Sequence, residues 1–135
     1  MARTNAAKIW SANYRLLSTI IASVAPRLAT LGLEAKELFV LAAIDEHPHP
    51  AQLAGVLSMP KPTITVYLKR LADARLIRRE IDSGDLRRHR LSVTPSGRKL
   101  MRRGLALLSD AFSLRLSRLS AVEQAQLAIL LERLN

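Results

Sequence analysis

The feature that most constrains this chain is a change of hydrophobic period between Lys61 and Thr94. From Lys61 to Ala74, the apolar residues Ile64, Tyr67, Leu68 and Leu71 recur at three- and four-residue steps, which is one face of a helix. Immediately afterwards, "RLIRREI" and "RHRLSV" alternate Ile, Leu and Val with Arg. Alternation of that kind is the period of a strand. The turn-rich "DSGD" separates the two runs, so they read as a β-hairpin with Gly84 free to take a positive φ. A short helix, "PAQLAGVLS", precedes this block, with Pro50 suited to its first position and Leu53, Val56 and Leu57 facing inward. Two helices joined by a tight turn and followed by a two-stranded hairpin make a winged helix-turn-helix.

The flanks are helical. Ile9, Trp10, Leu16, Leu17, Ile20, Ile21 and Val24 form a stripe interrupted by Asn13, and Pro26 either kinks this helix or restarts it. After a break at Leu31-Gly32-Leu33, a helix is expected over Glu34–Glu46, with Leu38, Leu41, Ala42 and Ile44 buried and "HPHP" ending it. Thr94 and Pro95 are a good N-cap and first-turn pair for a long helix striped with Leu100, Leu105, Leu108, Phe112, Leu116 and Leu119. Ser120 and Glu123 have capping-box spacing at the start of a last helix. The expected fold class is mainly α with a small β-hairpin wing. Its parts are an N-terminal helical region, 1–33, a winged lobe, 34–96, and C-terminal helices, 97–135.

Charge then narrows the function. The 135 residues carry a net charge of +10. Residues 61–103 hold thirteen Lys or Arg against four acids, whereas residues 1–60 hold five against four and residues 104–135 three against three. Solubility alone does not require such concentration. A polyanion such as double-stranded DNA does, because each phosphate neutralised releases condensed counterions. Lys61, Thr63, Thr65, Val66, Lys69 and Arg70 are placed on the outward face of the fourth helix. Hydroxyls, a bare valine and cations together suit thymine methyls, base edges and phosphates better than they suit water alone.

Other chemistries find little support. No cysteine is present, which excludes disulfides, thiolate metal sites and thiol redox sensing. His47 and His49 lie in a proline-rich loop without ligand-spaced acids, so a surface loop is favoured over a zinc site. There is no Ser/His/Asp constellation or Gly-rich nucleotide loop, and Glu34/Glu37 and Asp45/Glu46 read as helix charges; no enzyme, cofactor or metal is expected. The start of the chain lacks a signal-peptide core, and no apolar run approaches the ~20 residues that span a bilayer, so a cytoplasmic location with no membrane partner is expected. Ile9, Trp10, Leu16 and Leu17, with Leu127, Leu130, Leu131 and Leu134, suit either a core or a dimer interface.

The block "LAGVLSMPKPTITVYLKRLADARLIRREIDSGDLRRHRLSVTPSG" resembles the MarR family of bacterial transcriptional regulators. The resemblance is carried by Leu53-Ala54, Thr63-Ile64-Thr65, Arg70-Leu71, Leu76-Ile77, Arg79, the Asp82, Asp85 and Arg87 of a D-x-x-D-x-R wing, Val93-Thr94 and Gly97. It implies a homodimer on pseudo-palindromic DNA, with recognition helices about 34–36 Å apart, acting as a repressor that a small-molecule effector releases. It makes Arg87 a minor-groove probe braced by Asp85, and Arg79, Arg88 and Arg90 further DNA contacts. Three positions depart from the pattern: Arg75 where a glycine is usual, Leu86 where a first wing arginine is usual, and Pro60 where a hydroxyl N-cap is common. The competing readings are a sequence-nonspecific architectural DNA-binding protein and a protein-interaction module with a basic wing.

Overall fold

A computed structural model describes residues 5–135, excepting the side chains of Leu86 and Arg87. Six helices and one hairpin follow in the order α1 (Ala6–Thr30), α2 (Ala35–Ala43), α3 (Pro50–Val56), α4 (Lys61–Asp73), β1 (Ile77–Asp82), β2 (Asp85–Val93), α5 (Pro95–Leu116) and α6 (Ala121–Leu134). The chain forms two compact units, Met1–Val24 with Ala106–Asn135, and Ala25–Leu105. The unit that holds the hairpin is therefore wider at both ends than residues 34–96. No single helix among the described residues is long and apolar enough to cross a membrane.

The unit Ala25–Leu105 has a true core. Leu28, Leu33, Leu38, Leu41, Ile44, Leu53, Ile64, Leu68, Leu71, Ile77 and Leu91 are all buried. Ile64, Tyr67, Leu68 and Leu71 take the inward face of α4, as the helical period predicts. Glu34 and Glu37 form a capping box that starts α2. That helix stops at Ala43, three residues short of the expected end, as a turn leads towards Pro48. α1 does not restart at Pro26; it runs through it to Thr30. Val56 is 53% exposed instead of inward, since it ends a seven-residue helix whose packing depends on Leu53. Leu105, expected in the stripe of α5, is also exposed.

The hairpin pairs Ile77 with Val93, Arg79 with Leu91, Glu80 with Arg90 and Ile81 with His89, and then shifts register so that Asp82 opposes Asp85. Gly84 does not take a positive φ. The corner is built instead by the Asp82 carboxylate, which accepts the Gly84 N–H at 2.9 Å. Asx geometry of this kind turns the chain without a left-handed residue.

The left-handed residue after α4 is Arg75, at φ 60°. Its conformation lets Leu76 N–H reach the Leu71 carbonyl, closing the helix end. Thr94 locks this corner from the other side: its hydroxyl donates to the Arg75 carbonyl at 2.8 Å and accepts from Gly97 N–H at 3.0 Å, capping α5. Gly97 lies so close to the Leu76 carbonyl that any Cβ there would collide with it. The T-x-x-G motif is thus a packing device that seats the hairpin between two helix ends.

The other unit buries much less. α6 has no buried residue at all, although it is rich in Leu and Ala. On α1, Ile9, Trp10, Tyr14 and Leu17 are each more than half exposed, with Trp10 and Tyr14 stacked at 6.4 Å between ring centroids. The Ser120–Glu123 capping box is formed as its spacing predicts.

Candidate nucleic-acid interface

α4 begins without a side-chain cap, because Pro60 occupies the N-cap position. Pro60 and Pro62 supply pre-set φ values in place of a capping hydroxyl. The turn before it is closed by Ser58 at φ 52°. This entry leaves Lys61, Thr65, Val66 and Lys69 exposed, with Val66 50% accessible, while Thr63 is half-buried. The Thr65 hydroxyl donates to the Lys61 carbonyl at 3.0 Å. Its proton is spent on its own helix, so in this rotamer the oxygen can only accept. Lys69 forms an exposed pair with Asp73 at 2.9 Å. Such pairs contribute little and give way readily to another anion.

Arg70 is placed differently from the other candidates on α4. Its Nη1 lies 3.1 Å from Glu34 Oε1 and 3.7 Å from Glu37 Oε1, and its guanidinium sits 5.6 Å from the centroid of the Tyr67 ring. Tyr67 Oη donates to Glu34 Oε2 at 3.1 Å. Burial, and then the Glu34 carboxylate, push the Tyr67 phenol above its usual range. Arg70, expected from the sequence to read base edges beside Thr65, remains exposed and in this structure also links α4 to α2 through these carboxylates.

On the hairpin, Arg78, Arg79, Arg88 and Arg90 are exposed. The register puts Arg78 and Arg90 on one face and Arg79 on the face that carries Ile77 and Leu91. Asp85, at the start of β2, is exposed. The proposed groove probe, Arg87, lies outside the described residues, as does the side chain of Leu86.

Three contacts of this unit had no sequence signal. Glu34 and Arg70 are far apart in the chain, and Glu34 reads locally as a helix-start charge. Arg98 grips Asp45 with two hydrogen bonds, at 2.8 and 3.2 Å, joining the start of α5 to the end of α2. His49, read from the sequence as a loop residue, is buried and reaches the hairpin.

A short helix, a turn, a helix with an exposed polar and cationic face, and a basic two-stranded hairpin define a winged helix-turn-helix protein. A MarR family model matches residues 31–88. The HTH-type transcriptional repressor Rv2887 of Mycobacterium tuberculosis is 28% identical over 123 residues, covering 90% of this chain and 88% of the relative. Its structure in complex with salicylic acid superposes with a TM-score of 0.77 at 26% identity, over 98% of each chain. A probable transcriptional regulator from Pseudomonas aeruginosa gives a TM-score of 0.76 at 29% identity, covering 94% of this chain and 96% of that one. The S. aureus MepR–DNA complex shares the fold, with a TM-score of 0.77 at 22% identity over 93% and 95% of the two chains. The chain is thus similar to the MarR family over its helix-turn-helix and hairpin segment, and its likeness to Rv2887 extends over 90% of its length.

Proposed function

We propose that this protein is a sequence-specific DNA-binding transcriptional regulator, a repressor acting in the cytoplasm as a homodimer on pseudo-palindromic DNA. The observation that carries this reading is the coincidence of charge and shape. The segment with thirteen basic residues against four acids is the one that folds into α4, the hairpin and the first turns of α5. Thr65 and Val66 are the candidate base readers, Thr63 a partly covered neighbour, and Lys61 and Lys69 the backbone contacts. Arg79, Arg88 and Arg90 hold phosphate from the hairpin, with Asp85 and Arg87 as the wing pair. Dimerisation is assigned to α1 and α6 through Ile9, Trp10, Leu16, Leu17, Leu127, Leu130, Leu131 and Leu134. Exposed Trp10, Leu17, Leu130 and Leu134 support this over a role in a monomer's core. The salicylic acid complex of Rv2887 supports a small-molecule effector here too. An effector acts by favouring a dimer whose helix spacing mismatches the operator.

Titration of palindromic and random duplexes at several salt concentrations tests the proposal. A steep salt dependence with a large preference for the palindrome is expected. A preference near one would favour the architectural reading, and no binding to either duplex would favour the protein-interaction reading.

A further inference from the structure

His49 precedes α3 as its N-cap, and its ring is buried beneath the hairpin. Nδ1 lies 3.0 Å from the His89 carbonyl oxygen on β2, and Nε2 lies 3.4 Å from Asp82 Oδ2 at the end of β1. One residue earlier, the Pro48 carbonyl accepts Leu91 N–H at 2.7 Å. The dipeptide Pro48-His49 therefore holds the hairpin at three points, on both strands.

The chemistry of the two ring contacts is unbalanced for a neutral imidazole. A carbonyl and a carboxylate are both acceptors, and neutral imidazole carries a single N–H. With that proton on Nδ1, the lone pair of Nε2 faces the Asp82 carboxylate. Only the imidazolium donates to both. Asp82 is available as the anion, since the Gly84 N–H, and then the charges of His49, Arg88 and Arg90, hold its carboxyl below the usual range despite partial burial. Arg88 and Arg90 act on the same carboxylate from β2 and compete with His49 for it. In the preceding loop Glu46 is 4.0 Å from His47. His89 contributes its backbone oxygen, and Gln52 Oε1 accepts the His49 backbone N–H on α3.

We propose that His49 is a positioning residue for the wing, whose second proton fastens the hairpin to the start of α3, so that DNA affinity rises as pH falls through the imidazole range. This rests on the DNA-binding reading above. Below the imidazole range both bonds are made, and above it one of the two ring nitrogens faces its acceptor without a proton, whichever tautomer forms. The comparison is made between pH 6 and pH 8, on either side of neutrality.

Two readouts on the full chain test it. In the free protein, the hydrogen-exchange protection factor of the Leu91 amide is measured at both pH values in wild type, His49→Gln, Asp82→Asn and His89→Gln. Affinity is measured in parallel for a 30-base-pair duplex selected by the protein from a random-sequence pool. Wild type and His89→Gln should bind about five-fold more tightly at pH 6 than at pH 8, and Leu91 should be better protected at pH 6. His49→Gln should lose both dependences. Asp82→Asn, whose side-chain amide can satisfy a neutral ring, should lose them too. A purely structural role would lower affinity equally at both pH values, and that result, or a pH-independent Leu91 amide in wild type, overturns the proposal. If no duplex is selected but Leu91 protection follows pH through His49, the latch stands and the DNA-binding function falls.

Discussion

Arg70 Nη1 lies 3.1 Å from Glu34 Oε1, and the same carboxylate takes the Tyr67 hydroxyl on its other oxygen. One glutamate at the start of α2 thereby holds two residues of α4 one turn apart, the buried Tyr67 and the exposed Arg70. The angle at which α4 presents Thr65 and Val66 is set by contacts on its opposite side.

This separation of roles predicts different salt behaviour for two neighbouring cations. Lys69→Ala should lower the slope of log affinity against log salt by about one, as for a lost phosphate contact. Arg70→Ala should leave the slope unchanged. Because its pair is more than half exposed on both sides, the cost to folding should be no more than about 1 kcal/mol. Binding isotherms at four salt concentrations and denaturant melts check both.

Arg75 at φ 60° stands where a glycine would carry no steric cost. Arg75→Gly should stabilise the fold by up to about 1 kcal/mol, the left-handed penalty less the added freedom of the unfolded chain. Urea unfolding of both proteins measures the difference, and a loss of stability would mean that the Arg75 side chain contributes more than its backbone costs.

Gly97→Ala acts in the opposite direction. A methyl group there meets the Leu76 carbonyl, a backbone atom that cannot turn aside, while Thr94 holds the same corner closed. A destabilisation of at least about 2 kcal/mol is expected, read as a lowered urea midpoint, with the hairpin amides losing exchange protection first.

Leu130 and Leu134 are 51% and 84% exposed on a helix with no buried residue. Leu130→Asp should convert a dimer to monomer in analytical ultracentrifugation while the far-ultraviolet helix signal persists. Affinity for a palindrome should fall by more than ten-fold, since the two half-sites would no longer be linked.

Asp45 and Arg98 provide an acid-stability test. The hydrogen bonds from Arg98 hold the Asp45 carboxyl below its usual range, against a smaller opposing effect of burial. A depressed carboxyl stabilises the fold above its unfolded pKa and loses that contribution as pH falls through the lower, folded value. Arg98→Met should therefore be less stable than wild type at pH 7, with the gap closing below about pH 4. The gap should be under about 1 kcal/mol, because Asp45 is half exposed.

Much of this architecture was legible in the residues themselves. The period change at Lys61–Thr94 specified helix then hairpin, because a 3.6-residue stripe and a two-residue alternation cannot both be satisfied by one backbone. Thr94, Pro95, Pro50 and the Ser120–Glu123 pair marked helix starts, since capping depends on residues no more than four apart. Gly84 misled: its freedom predicted a left-handed turn, but the Asp82 side chain supplies the turn with an ordinary backbone. Arg70 has partners that its sequence position does not show. Its outward place on the helical wheel holds, but only the approach of α2 brings it the Glu34 and Glu37 carboxylates.

Sequence alone determined the order of elements, the inward face of α4 and the concentration of positive charge on one segment, all properties of near neighbours in the chain. Tertiary structure alone decided that Glu34 pairs with Arg70, that Leu76 denies Gly97 a side chain, and that His49 is buried against Asp82 and the His89 carbonyl. These pairings join residues up to 40 apart in sequence, as the His49–His89 contact is. The physical reason is range: turns, caps and helical stripes are settled by local sterics and hydrogen bonds, whereas a charge or imidazole finds its partner only after the core has brought distant segments together.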